Sequence, residues 1–283
     1  MDDLAAFSLR PWLIFAGSFA VCNLAYGLLL ELLDRADAEL LMFLLTGCVV
    51  AEAGILPAWL VWGRGPLWQR LPWHVGIAFV LFVLWYLGML VWHLRSYDDR
   101  VQVPAMILFS LPAVSVAVSA PLWLVRLFFG WRIVPRDDLN LANERLSIRD
   151  FLVGMAVVGV ALASARLAMA IGKPPEEWQY WLALGIAVAA AAAAGLFLEL
   201  PLLWFTFRFR SYLPSGIAVG ATMLVAWVIL ITIVTAVDRR IPDGRVVAGI
   251  CLFLLSLGYT TAAAFWLARA DGYRLEIPGR DRR

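Results

Sequence analysis

The stretch "ELLMFLLTGCVVAEAGILPAWLVWG", residues 39–63, decides the fold. Between Glu39 and Arg64 it holds one ionisable carboxyl, Glu52, near its centre. A bilayer core is roughly 30 Å thick and takes about 20 apolar residues as a helix. In lipid the backbone must satisfy its own N–H and C=O groups, so such a run is a helix. Working outward, seven more stretches of this kind occur, at about 11–33, 73–94, 103–130, 151–172, 178–207, 213–237 and 245–270. Composition agrees: 63% of residues are hydrophobic and 16% charged, against roughly half and a quarter in soluble domains. No run shows the strand alternation of a membrane barrel. The reading is an all-α integral membrane protein with eight transmembrane helices, the first a retained span and not a cleaved signal.

Orientation follows from Arg and Lys in the loops. Fifteen fall on the side of the N-terminus and seven on the other, with Arg166 inside a span. Both termini are therefore expected in the cytoplasm. Tryptophans such as Trp59, Trp62, Trp123, Trp204 and Trp266 crowd the ends of the even-numbered spans, where an aromatic belt belongs.

The two halves repeat. Ser8-Leu9-Arg10 matches Ser147-Ile148-Arg149, Leu56-Pro57 matches Leu200-Pro201, and Leu71-Pro72 matches Leu213-Pro214. Gly76-Ile77-Ala78 matches Gly216-Ile217-Ala218, and Trp85 matches Trp227. The offsets run from 139 to 144, with the drift taken up in loops. Matches kept in order suggest duplication of a four-helix unit. Four is even, so the halves run parallel, related by a pseudo-two-fold along the membrane normal. Trp85 and Trp227 are expected near that axis. Residues 1–130 and 151–270 form the two units. Between them lies a cytoplasmic linker, 131–150, and after them a cytoplasmic tail, 271–283. A short interfacial helix and a solvated linker both fit residues 131–150; the tail reads as short and mobile, with arginines placed to meet anionic lipid. Pro57, Pro121 and Pro201 recur near the ends of spans 2, 4 and 6, where each can kink its helix.

Ionisable groups deep in lipid are costly and mark candidate sites. Glu52 lies 13 residues after Glu39 and 12 before Arg64, so about 18–20 Å from either. Asn23 in span 1 lies at the same depth. Two readings stay open: a neutral hydrogen-bonded pair of Glu52 with Asn23, or a carboxyl that binds a proton or cation in a polar cavity. Glu199 is expected to reach the cytoplasmic interface or meet an arginine there. Arg166 lies nearer the outer face and is expected to snorkel outward. Glu52 aligns near Leu196 and Glu199 near Gly54, which argues against a symmetric two-carboxylate site. Ser115, Ser256, Tyr259 and Thr260 are expected to bond between helices, and Gly216 and Gly220 to allow close packing.

Other chemistries lack their residues. His74 and His93 sit at opposite ends of span 3 and cannot share a metal. Cys22, Cys48 and Cys251 fall inside apolar runs as small packing residues. Zincin, nucleophile-elbow, phosphate-loop and dinucleotide signatures are missing. An enzyme, a cofactor and a metal are therefore not expected. A net charge of +2 gives no field for nucleic acid. The expected partners are the lipid bilayer and either a second copy or another membrane subunit.

The pattern S-[IL]-R-x-[FW]-L opens spans 1 and 5, as Ser8–Leu13 and Ser147–Leu152. It resembles a recurring, uncharacterised type of bacterial multi-pass membrane protein. That resemblance implies a bacterial inner-membrane setting, and neither an activity nor site residues. Two functions stand as expectations: a small permease or channel-like protein around a mid-membrane carboxylate, or a non-transporting scaffold or assembly subunit.

Overall fold

A computed structural model describes residues 9–29, 38–62, 66–92, 102–135, 148–172, 177–209, 211–238 and 243–277. The helices are α1 (Leu9–Leu29), α2 (Ala38–Trp62), α3 (Leu67–Trp92), α4 (Gln102–Phe129) and α5 (Ile148–Gly172). After them come α6 (Glu177–Ala194), α7 (Leu200–Arg208), α8 (Tyr212–Asp238) and α9 (Gly244–Ala270). A π-helical turn, Gly195–Glu199, joins α6 to α7 as one rod. Its cause is local. Pro201 brings no N–H, and its ring crowds the carbonyl four residues back. Widening the turn by one residue relieves both, and the Leu200 N–H closes the wide turn on the Gly195 carbonyl. Among the described residues seven helices are long and apolar enough to cross a membrane, and α1 adds a shorter apolar stretch, Ile14–Tyr26. The chain is a helical membrane protein.

Four rods form a closed ring. Helix α2 packs on α9 and α4, α4 on α6 and the π turn, and α7 on α9. These are the even-numbered spans, which share the Trp pattern and, in spans 2, 4 and 6, the proline. Around the ring, α1 leans on α2 and α3, α5 on α4, and α8 on α9 and α7. The ring interior is apolar: Val61, Leu122, Leu202, Leu203 and Ala262 are all buried. Outward faces are apolar too, with Ile14, Phe79, Leu162, Ile217 and Val225 exposed. Exposed apolar side chains on every outer helix are what a lipid solvent allows and water does not. Trp85 and Trp227 do not come together. The first rests on Phe82 of its own helix. The second donates from Nε1 to the Val247 carbonyl of α9 at 3.0 Å. Helices α3 and α8 take their main contacts from different neighbours, so these tryptophans flank the ring instead of marking its axis.

Arginines close the ring's C-terminal end. A helix leaves its last four carbonyls without N–H partners. Arg70 and Arg126 donate from Nη1 to the Leu60 and Val61 carbonyls at the end of α2. Arg269 donates to the Thr206 carbonyl at 2.9 Å and to that of Phe209 at the end of α7. Each cation also meets the negative end of a helix dipole. Arg126 closes Trp123-Leu124-Val125-Arg126 on α4, and Arg269 closes Trp266-Leu267-Ala268-Arg269 on α9. At the start of α3, the Leu67 N–H donates to Asp150 Oδ1 of α5 at 3.2 Å, an acidic cap on a helix N-terminus.

Beyond these arginines the chain turns through Gly130 (φ 65°) and Gly272 (φ 86°), where a side chain would be strained. Strands β1 (Arg132–Pro135) and β2 (Tyr273–Glu276) then pair antiparallel. Here the sequence reading is corrected: the first residues of the linker and of the tail form a ribbon that ties the halves together. Four-residue strands are too short to show a period of two. The register is Arg132↔Glu276, Ile133↔Leu275 and Val134↔Arg274. Adding 142 to the first strand's numbers carries the Arg132–Glu276 pair onto Val134–Arg274 and leaves Ile133–Leu275 in place. Cysteines placed at Ile133 and Leu275, with the native cysteines replaced by Ala, are expected to cross-link under mild oxidation or with a short thiol-specific linker. A gel shift after cleaving the chain between the halves reads the result. No cross-link would refute the register. The linker's residues 136–147, the tail's 278–283, Ser8, Ser147, His93 and Lys173 lie outside the described residues.

Candidate functional site

The Asn23–Glu52 pair forms as one of the two sequence readings expects. Asn23 Nδ2 donates to Glu52 Oε1 at 2.7 Å and Oε2 at 2.9 Å. It also reaches the Phe19 carbonyl of its own helix at 3.0 Å. Both side chains are buried, Asn23 at 2% and Glu52 at 5% exposure. The pair joins α1 to α2 on the outer side of the ring, and both carboxyl oxygens are engaged.

Glu199 lies elsewhere than expected. It reaches neither the interface nor, among the described residues, an arginine. The π turn swings it into the ring, where it is 7% exposed. Its Oε2 is buried without a hydrogen-bond partner. Its carboxyl rests in a notch at Gly54 of α2, where an added Cβ would overlap Oε1. One turn back, Gly195 presses on α4: an added Cβ there would lie 2.7 Å from the Val118 carbonyl oxygen. Two glycines thus let this segment close on α2 at the carboxyl and on α4 one turn earlier. The signal available in the sequence was the run of Gly195, Glu199 and Pro201, since a proline beside a buried carboxyl announces an irregular turn.

The candidates do not converge. Glu52 and Gly54 are two residues apart, which is about 200° around a helix. Glu52 therefore faces α1 while Gly54 faces Glu199. Arg166 is exposed on α5. The softer polar groups act between helices. Ser256 donates to the Leu44 carbonyl at 2.8 Å, Tyr259 to Gly216 at 3.3 Å, and Thr260 to Cys48 Sγ at 3.6 Å. Gly216 and Gly220 receive the rings of Trp266 and Tyr259 from α9, so this motif serves packing within the chain.

Sequence reasoning weighed His74 only as a metal ligand and missed its part in packing. It is buried at 7% exposure, with Nδ1 3.2 Å from the Leu56 carbonyl and Nε2 3.1 Å from Ser115 Oγ. A carbonyl only accepts, so in the neutral ring Nδ1 carries the proton and Nε2 accepts from the serine hydroxyl. The ring thereby ties α3 to α2 and α4. No group of three His, Cys, Asp or Glu side chains able to hold a metal occurs among the described residues. Comparison with family models, with curated proteins and with solved structures returned no match, so the chain's own geometry carries the functional reading.

Proposed function

We propose that the chain is a small permease-like protein of the bacterial inner membrane, with its polar site inside the four-helix ring at Glu199. Eight spans lie in a 4+4 parallel arrangement with both termini in the cytoplasm. The 21-residue helix α1 supports the eighth span. Duplication draws support from the ring, because exchanging α2 with the α6–α7 rod and α4 with α9 carries its contacts onto themselves. It draws more from the paired Trp-Leu-x-Arg caps and from a ribbon register that an offset of 142 leaves unchanged. Such a register is that of an isologous contact, where one surface meets its own equivalent. The outer helices depart from the symmetry: α1 leans on α3, whereas α5 leans on α4.

The observation that carries the function is the unpartnered Glu199 Oε2 in the ring's interior. An ionisable group inside a membrane bundle marks a pathway or a ligand far more often than a packing element. Glu52 is a strut, because Asn23 engages both its oxygens. The test is water access at position 199. Cys22, Cys48 and Cys251 are replaced by Ala, Glu199 by Cys, and membrane-impermeant thiol reagents are added from either side. Labelling needs a thiolate and therefore local water. Reaction from one side or both is expected. Complete protection, with a loop cysteine labelling normally, would return the chain to the scaffold reading.

A further inference from the structure

We infer that Glu199 is the charged ligand of a binding site for a dehydrated, hard monovalent cation of the sodium class. This inference rests on the permease-like reading and names the ion that its central carboxyl serves. When ionised, the carboxyl offers one negative charge and an oxygen without a partner, buried inside the ring. Further oxygens come from the backbone. Pro57 has no N–H for the Ala53 carbonyl, and Ala53 is bonded to Gly54, whose bare face holds the Glu199 carboxyl. Pro121 has no N–H for the Ala117 carbonyl, and Ala117 precedes Val118, whose carbonyl abuts Gly195.

Two rods, α2 and α4, therefore each carry a proline three residues beyond their contact with the π-turn segment, at Gly54 and at Val118. Each frees one carbonyl from its helical donor. Carbonyls of interrupted membrane helices, joined by a carboxylate, replace the hydration shell of small cations. The charge count selects the ion. One carboxylate neutralises one positive charge, whereas calcium or magnesium would keep a net charge in lipid and demands six or more oxygens. Soft metals need thiolates, and the Glu199 notch has none. The same arrangement accounts for Gly54, because a Cβ there would take the place of the carboxyl.

The test is carbodiimide labelling of Glu199 in the purified full chain in nanodiscs, read by mass spectrometry, with sodium chloride against choline chloride. A bound cation shields the carboxyl, so the labelling rate falls with occupancy. At sodium ten times its dissociation constant, labelling is expected to slow ~10-fold. Pro57→Ala and Pro121→Ala restore N–H donors to Ala53 and Ala117 while leaving Glu199 in place. Both are expected to label as fast as the parent in choline and to need more sodium for the same protection. Glu199→Gln, checked for folding by size exclusion, supplies the unlabelled control. Labelling that ignores sodium, or that is absent in every salt, overturns the inference. Unshifted protection in both proline variants overturns the carbonyl ligands. Cysteine access separates the two readings. If position 199 reacts as a cysteine but sodium has no effect, the permease reading survives and the cation site falls. If position 199 is closed to water, both fall.

Discussion

Asn23→Leu is expected to destabilise the fold by about 2–3 kcal/mol, while Asn23→Leu combined with Glu52→Met restores most of that loss. The reasoning turns on an asymmetry. A hydrogen bond made inside a protein gains little over one made to solvent, but a buried acceptor stripped of its donor bears the full desolvation cost. Asn23 Nδ2 serves both Glu52 oxygens, and both residues are buried. Removing the donor therefore orphans two oxygens at once. Removing both partners leaves apolar groups of similar volume, and a buried polar pair replaced that way is often neutral or stabilising. Glu52→Gln keeps an oxygen for Asn23 and should cost under about 1 kcal/mol. Equilibrium unfolding in mixed micelles, followed by circular dichroism, reads the three variants against the parent. If the double variant is as unstable as Asn23→Leu alone, Glu52 does something other than tie α1 to α2. The strut reading of this pair would then be withdrawn.

The sequence carried the spans because apolar length is a strong signal in lipid: each helix is bounded by charges, and its period of packing need not be read. It also carried the Asn23–Glu52 pair. Two polar residues at equal depth in neighbouring spans have few other partners, so depth alone brought them together. Glu199 was misplaced for a physical reason. Counting residues gave its depth, but not which face of the rod it occupied. That face is set by the π turn, which inserts a residue and rotates α7 relative to α6. The ribbon was missed for another. Its strands are four residues long, and their pairing depends on two left-handed glycines and on a contact between distant parts of the chain. The Trp-Leu-x-Arg match between α4 and α9 was visible in the sequence. Its meaning needed the carbonyls that each arginine caps, and those belong to a different helix. Trp85 and Trp227 mislead in the opposite sense. Their equal spacing is real, yet both sit on helices outside the ring.

Gly47→Ala and Gly54→Ala are expected to part company, the first losing stability and the second losing cation protection. Both glycines lie on α2, and at both an added Cβ meets an atom at overlapping distance. What differs is whether that atom can move. At Gly47 the Cβ would overlap the Phe253 carbonyl oxygen and stand 3.0 Å from the Leu257 nitrogen, both backbone atoms of α9. Ser256 Oγ is in the way as well, and it already donates to the Leu44 carbonyl. Helices α2 and α9 would have to separate along their tightest contact. Overpacking against a rigid neighbour costs about 1–3 kcal/mol. Gly47→Leu should lie at or beyond the top of that range, lowering the folded yield in detergent. At Gly54 the obstacle is the end of the Glu199 side chain, which can swing away. Alanine also favours a helix over glycine by up to about 1 kcal/mol. Gly54→Ala should therefore change the unfolding midpoint little, while displacing the carboxyl from its notch and raising the sodium needed to slow carbodiimide labelling. The two readouts, unfolding midpoint and sodium protection, should thus move in different variants of one helix. Equal stability losses at both positions would mean that Glu199 is wedged in place, with no freedom to take up or release an ion.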